Sequence, residues 1–159
     1  TDIVGSTFVD EQGKPQVSTA QKRTYAGDIT PEQAWKLLSE NPEAVLVDVR
    51  TDAEWRFVGV PDLASLGRDV VYIEWNSADG NRNENFVADL LEHVPARDDR
   101  PVVFLCRSGN RSISAAEAAT EAGIAPSYNV LDGFEGQLDS YSHRGGSGWR
   151  AIGLPWKQT

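Results

Sequence analysis

The sequence predicts an α/β fold in which helices cover both faces of a mostly parallel central sheet. Short apolar runs of strand length alternate along the chain with segments of helical periodicity, which is the pattern of repeated strand–helix units. The runs at residues 44–49 and 101–105 are almost continuously apolar, as expected of parallel strands that are buried on both faces. Right-handed crossovers are expected to join such strands into one layered sheet.

Capping residues mark the start of two helices. Thr30 is followed three positions later by Gln33, with Pro31 at the first helical position, and Thr51 is followed in the same way by Glu54. Such pairs satisfy the unpaired amide groups of a first helical turn. The remaining predicted elements are strands at residues 70–73 and 128–131 and helices at residues 86–94 and 113–122.

Length and composition predict one globular domain. The chain has 159 residues, of which 40% are apolar and 25% are charged, so it can bury a core and is not expected to be disordered. We divide it into an N-terminal extension at residues 1–24, predicted as a small hairpin or a flexible arm, and a domain at residues 25–159. The domain includes a tail that contains Trp149 and Trp156.

The sequence carries no pattern of a membrane or secretory protein. No apolar run approaches the roughly 18 residues of a membrane span, and the first 24 residues lack a basic-then-apolar signal pattern. We therefore expect a cytoplasmic protein. The chain contains no Met, which leaves open that a targeting segment preceded Thr1.

Charge and cysteine content argue against several classes of partner and site. The net charge of -9 and the pI near 4.6 disfavour nucleic acids and anionic membranes as partners. A single cysteine, Cys106, rules out an intrachain disulfide and an all-thiolate zinc site. Because His93 and His143 are far apart in the sequence, no metal site is expected either. We expect no cofactor, and the oligomeric state stays open.

Cys106 lies where a predicted buried strand ends and a helix begins, which is where open α/β sheets bind their ligands. The residues after it are small, turn-forming or cationic, and no acidic residue lies between positions 99 and 117. Backbone N–H groups in such a loop can point inward around an anion. The predicted anion-binding residues are Arg107, Ser108, Gly109, Asn110, Arg111 and Ser112.

This loop makes Cys106 a candidate nucleophile. The helix N-terminus, the loop amides and the two arginines are expected to favour the thiolate at neutral pH, and the thiolate is the reactive form of cysteine. A small buried filler is the ordinary structural interpretation of a lone cysteine at a strand end. A core filler has no need of a cationic loop, so the sequence favours the chemical interpretation.

Taken in order, these segments resemble the rhodanese-like sulfurtransferases of the small single-domain type, over residues 25–159. The resemblance implies a single rhodanese-like α/β domain. The chain departs from the family pattern at residues 59–61, which are Gly-Val-Pro where many members have Gly-His-Ile-Pro. The matching segments are residues 28–31 (DITP), 46–50 (LVDVR), 54–61 (EWRFVGVP), 106–112 (CRSGNRS), 131–134 (LDGF) and 148–156 (GWRAIGLPW).

The resemblance implies that Cys106 is the catalytic residue and carries sulfur as a persulfide. The sulfur would come from thiosulfate or a similar small anionic donor, whose sulfonate Arg107 and Arg111 would orient. Cyanide, a thiol or a protein would then accept it. Because the chain has no second cysteine, the acceptor must come from outside.

Two alternatives remain at this point. The first is a rhodanese-like sulfur carrier or regulatory binding module without turnover of small molecules. The second is a cysteine phosphatase or arsenate reductase, since related enzymes of these classes have five residues between the cysteine and the arginine of the loop. Only four residues separate Cys106 from Arg111. The shorter loop favours a sulfur atom over a phosphoryl group.

Three further residues are candidates for the pocket, and each has a structural alternative. Asp48 and Arg50 point to the same side of a strand end, so Arg50 either touches substrate or forms an internal salt bridge. Trp75 and Phe134 either line the pocket or pack in the core or at its rim.

Overall fold

The computed structural model describes residues 24–77 and 79–158, in which strands and helices alternate. The hairpin or arm predicted for the N-terminal extension falls, apart from Thr24, outside the described residues. In chain order the elements are β1 (Gly27–Ile29), α1 (Pro31–Glu40), β2 (Val45–Asp48), α2 (Asp52–Phe57), β3 (Val60–Pro61), a 3₁₀ turn (Ala64–Leu66), β4 (Val71–Tyr72), α3 (Phe86–His93), β5 (Val102–Leu105), α4 (Arg111–Glu121), β6 (Ser127–Val130) and β7 (Trp156–Lys157).

The central sheet has five strands in the order β1-β6-β5-β2-β4, and every neighbouring pair is parallel. This confirms the predicted fold class. The register sets Asp48 at the end of β2 beside Leu105 at the end of β5. Because all five strands point the same way, the loops that follow β2, β5 and β6 leave the sheet at one edge.

The core has one apolar cluster on each face of the sheet. Successive strand residues point to opposite faces, so Val47 and Phe104 join one cluster while Leu46 and Leu105 join the other. Helices α3 and α4 cover the first cluster, and α1 covers the second together with Trp149. Helices therefore lie on both faces, as predicted.

Both predicted capping boxes form. The Thr30 hydroxyl accepts a hydrogen bond from the Gln33 N–H over 3.1 Å, and the Gln33 side chain accepts one from the Thr30 N–H over 2.9 Å. Thr51 and Glu54 make the same reciprocal pair at the start of α2. The sequence therefore placed both helix starts correctly.

The sequence did not predict three short strands. β1 contains three residues and pairs in parallel with β6, while β3 and β7 contain two residues each and pair with each other in an antiparallel ribbon. Segments this short carry no apolar periodicity, so they become strands only through their partners. The last predicted strand begins one residue earlier than expected, at Ser127.

The tail docks on the domain. Trp149 is fully buried, packs edge-on against Trp35 at a ring distance of 5.9 Å and donates its indole N–H to the Pro155 carbonyl over 2.8 Å. Trp156 lies partly exposed in β7. No helix among the described residues is both long and apolar enough to cross a bilayer.

Candidate active site

Cys106 follows β5 directly, and the loop after it runs into α4 at Arg111. The cysteine is buried, and two hydrogen-bonding groups lie close to its sulfur. The Gly109 N–H donates over 3.1 Å, and the Ser112 hydroxyl lies at the same distance. The loop therefore curls around the sulfur, with its first and last residues in contact.

The other amides of the loop are free to bind an anion. No acceptor among the described residues bonds the backbone N–H groups of Arg107, Ser108, Asn110, Arg111 and Ser112. Unpaired amides at the start of a helix form an anion-binding site, because N–H dipoles and the helix dipole act together there. Gly109 makes the curl possible with a φ of +99°, and a side chain there would approach the Val130 carbonyl to 3.2 Å.

A tight turn after β6 supports this loop from below. The Phe134 N–H donates to the Cys106 carbonyl over 2.8 Å, and the Glu135 N–H donates to the Arg107 carbonyl over 2.9 Å. Gly133 lies in the left-handed region, and a Cβ on it would fall 2.3 Å from the Cys106 carbonyl oxygen. Only glycine permits this approach, so the turn at residues 132–134 sets the position of the loop that follows Cys106.

Arg111 differs from its expected role. Its guanidinium makes a bidentate ion pair with Glu54, at 2.9 Å and 3.0 Å, instead of projecting an unmatched charge into the loop. Burial raises the pKa of Glu54, but the hydrogen bonds from Arg111 and Thr51 and the charge of Arg111 together outweigh it and hold that pKa below its usual value. Burial likewise lowers the pKa of Arg111, and Glu54 more than reverses this effect.

Arg107 is the other cationic residue predicted at the loop, and its side chain is available to contact an anion. Its side chain is exposed and takes part in no ion pair among the described residues. The expectation of two unmatched arginines at the loop therefore holds for Arg107 alone. The sequence did not predict Glu54 as the partner of Arg111, because the two residues lie 57 positions apart and meet only when α2 and α4 pack in the fold.

The three additional pocket candidates lie in the interior. Arg50 makes a fully buried salt bridge to Asp48 at 2.7 Å and also donates to the Gly59 carbonyl, so the structural alternative is correct for this residue. Its guanidinium lies 4.2 Å from the centre of the buried Phe134 ring. Trp75 packs edge-on against Phe86 in the core.

A buried polar chain leads away from the sulfur. The Ser112 hydroxyl also contacts the carbonyl oxygen of the Asn129 side chain, and the Asn129 amide nitrogen donates to Asp28 over 3.0 Å. The Tyr25 hydroxyl donates to the same Asp28 oxygen over 2.8 Å. Sequence reasoning gave no role to Asn129 or Asp28, because their contact depends on the pairing of β1 with β6.

The site therefore holds a buried cysteine sulfur that accepts from the Gly109 N–H, in a loop whose other amides have no acceptor among the described residues. Arg107 lies exposed on the same loop. Within the part of the chain that the structure describes, no group of three or more His, Cys, Asp or Glu side chains is arranged to hold a metal ion. Such a site can bind a small anion and offer it a sulfur nucleophile.

Comparisons with known proteins agree with this arrangement. The family model described as the STR4 middle domain matches residues 26–159. The crystal structure of Rv0390 from M. tuberculosis is 70% identical and superposes with a TM-score of 0.79, covering 85% of this chain and 99% of that one. A rhodanese-like domain protein from Staphylococcus aureus is 20% identical, with a TM-score of 0.53 over 84% of this chain and 98% of that one, and shows the fold alone.

Two curated relatives are informative. An uncharacterized protein of Rickettsia conorii, RC0915, is 36% identical over 130 residues, which cover 82% of this chain and 96% of that protein. The thiosulfate sulfurtransferase GlpE of Pseudomonas syringae is 32% identical over 107 residues, which cover 67% of this chain and 82% of the enzyme. With its fold, its cysteine loop and these relatives taken together, the chain belongs to the rhodanese-like family and to the group described by the STR4 middle domain.

Proposed function

We propose that this protein is a sulfurtransferase that carries sulfane sulfur as a persulfide on Cys106. One observation carries the proposal: the Cys106 sulfur accepts from the Gly109 N–H, and the other amides of the same loop have no acceptor of their own among the described residues. The relationship to a protein described as a thiosulfate sulfurtransferase supports thiosulfate or a similar anion as the donor.

The first half of the cycle loads the cysteine. The Cys106 thiolate attacks the outer sulfur of the donor, a new sulfur–sulfur bond forms, and the donor's own sulfur–sulfur bond breaks. With thiosulfate, sulfite leaves with the electron pair of that bond. The negative charge then resides on the outer sulfur of the persulfide, where the amides of residues 107–112 stabilise it by hydrogen bonding.

The second half of the cycle removes the outer sulfur from Cys106. A nucleophilic acceptor attacks the outer sulfur, and the bonding electrons return to Cys106 as a thiolate. Since the chain contains no second cysteine, the acceptor is an external thiol, cyanide or a protein. Arg107 is the exposed cation that suits the sulfonate of the donor, while Arg111 holds Glu54 and fixes the start of α4.

Intact-mass measurement tests the proposal directly. After incubation with thiosulfate, the protein should gain one sulfur atom, and added cyanide should remove it as thiocyanate and restore the starting mass. The Cys106→Ser variant is the control and should gain nothing. A protein that gains sulfur but gives no thiocyanate would be a carrier module without small-molecule turnover. Failure to gain sulfur from thiosulfate or polysulfide would overturn the proposal.

A further inference from the structure

The hydroxyl of Ser112 lies between two acceptors. It is fully buried, 3.1 Å from the Cys106 sulfur on one side and in contact with the carbonyl oxygen of the Asn129 side chain on the other. A hydroxyl group has one hydrogen to donate. Ser112 can therefore serve the sulfur or Asn129, but not both at once.

Asp28 determines which way the Asn129 amide faces. The amide nitrogen of Asn129 donates to an Asp28 carboxylate oxygen over 3.0 Å, and Tyr25 donates to that same oxygen. A carboxylate accepts hydrogen bonds and has no hydrogen to give. Asn129 must therefore turn its N–H to Asp28 and its carbonyl oxygen to Ser112. The β1–β6 register, which pairs Asp28 with Asn129, holds this arrangement in place.

We propose that Asn129, oriented by Asp28, is a positioning residue that directs the Ser112 hydroxyl away from the Cys106 sulfur and so keeps its thiolate reactive. In the thiol state, S–H donates to Ser112 and Ser112 donates to Asn129, so every group is satisfied. In the thiolate state, the sulfur and the Asn129 carbonyl compete for one hydrogen. Asn129 therefore weakens the hydrogen bond that Ser112 could donate to the thiolate. The thiol loses nothing, because it does not need that hydrogen bond.

In the persulfide, Ser112 again donates to Asn129, as it does in the thiol state. This part of the inference rests on the proposed function. When the outer sulfur carries the charge near the loop amides, the inner sulfur needs no donor, and Ser112 returns to Asn129. The network therefore favours the persulfide over the free thiolate. Loading of the cysteine is the step that it assists.

Other charged groups face the loop, and the test leaves each of them in place. The charge of Arg111 interacts with Cys106 and is matched by Glu54, and the Asp48–Arg50 pair lies at the neighbouring strand end. The remaining titratable or charged residues on the loop, on the turn beneath it and at the end of the polar chain are Arg107, Asp132, Glu135, Tyr25 and Asp28, and the Asn129 and Ser112 variants keep all five.

The pH profile of Cys106 alkylation by iodoacetamide tests this role in the full chain. Asn129→Ala frees the Ser112 hydroxyl to donate to the sulfur, so the midpoint should move about half to one pH unit lower. A better-stabilised thiolate is also a weaker nucleophile, so the limiting rate at high pH should fall about twofold. A structural defect alone would not produce both changes together. An unchanged profile in folded Asn129→Ala would overturn the proposal.

A double-mutant cycle shows whether Asn129 acts through the hydroxyl. In a Ser112→Ala background, Asn129→Ala should cause no further shift, because there is no hydroxyl to release. An equal shift with and without Ser112 would contradict the proposal. If Asn129→Ala fails to fold, Asp28→Ala tests the same row of hydrogen bonds, because position 28 is only partly buried. It should lower the midpoint by a smaller amount, and an unchanged midpoint would overturn the role of Asp28.

These measurements do not depend on sulfur transfer. Alkylation reports only the state of the thiol, so the shifts should appear even if thiosulfate and cyanide give no turnover. Failure of sulfur loading with the alkylation shifts present would reject the proposed function alone. Normal sulfur loading with no alkylation shift would reject the role of Asn129 alone.

Discussion

Glu54 joins two elements through a single side chain. Its carboxylate accepts from the Thr51 N–H at the start of α2 and also holds both terminal nitrogens of Arg111 at the start of α4. The first contact was readable from the sequence, because a capping box is local. The second was not, because it depends on how two distant helices pack. The pair ties the start of α4 to α2, so the Arg111 charge is matched and does not stand free beside the cysteine loop.

Replacing Glu54 with Gln should change the pH dependence of stability. The folded-state pKa of Glu54 lies below its usual value of 4.5, so its stabilising effect is present above that pH and is lost as the pH falls through the folded-state value. In Glu54→Gln this loss is absent. The free energy of unfolding of the variant should therefore fall less steeply between about pH 5 and pH 3 in urea titrations. At pH 7 the variant should be less stable by about 1–2 kcal/mol.

Asp52→Asn is the matched control for this prediction. Asp52 belongs to the same helix and pairs with Arg56, but the two side chains are 55% and 68% exposed. Exposed pairs contribute little, so this variant should differ from the wild type by no more than about 0.5 kcal/mol. Equal acid slopes in Glu54→Gln and the wild type would show that the Glu54–Arg111 pair does not contribute to the pH dependence.

At the scale of elements, the sequence predicted what is periodic or capped. Residues 44–49 and 101–105 contain two of the central strands, and the cysteine predicted to end the second strand directly follows β5. β1, β3 and β7 escaped prediction because their two or three residues lie in no apolar run, whereas the equally short β4 lies inside the apolar run at residues 70–73. The hydrogen bond between Asn129 and Asp28 could not be predicted for the same reason, because Asp28 reaches Asn129 only after β1 has paired with β6.

The turn after β6 should be intolerant of any side chain at Gly133. Gly133→Ala adds the cost of a left-handed conformation and drives a Cβ to within 2.3 Å of the Cys106 carbonyl oxygen, which is backbone and cannot rotate away. The loop must shift, and a shift of about 1 Å in a reacting group can slow a reaction roughly 100-fold. We expect sulfur loading of Cys106 to slow by that order and unfolding to become easier by roughly 3 kcal/mol.

Gly67→Ala separates conformational strain from the clash. Gly67 also has a positive φ, of +71°, but a Cβ there would meet nothing within 4 Å. It should cost about 1 kcal/mol in urea unfolding and leave sulfur loading unchanged. If both variants lost the same stability and the same activity, strain alone would account for Gly133 and the support given to the loop would be unnecessary.

At the scale of the whole molecule, two layers of helices and a parallel sheet determine where chemistry can occur. The parallel strands deliver the ends of β2, β5 and β6 to one edge, and these ends supply the Asp48–Arg50 pair, the cysteine loop and the supporting turn. The tail completes the assembly from the second face. The backbone N–H of Trp149 donates to the Gly133 carbonyl over 2.9 Å, so the C-terminal segment is joined to the turn beneath the cysteine loop.

Removing the Trp149 side chain should weaken the domain. It should also loosen the turn under the cysteine loop, because the backbone segment that donates to Gly133 loses the packing that holds it in place. Trp149 is fully buried among the residues of the second core cluster, and truncation of such a side chain typically costs about 3–5 kcal/mol. Trp149→Ala should show this loss in urea unfolding and reduced hydrogen-exchange protection of the amides at residues 133–136. Trp156→Ala is the control, because its side chain is 39% exposed and should cost roughly half as much or less. Equal losses in the two variants would show that the tail contributes through its short ribbon with β3 and not through the buried indole.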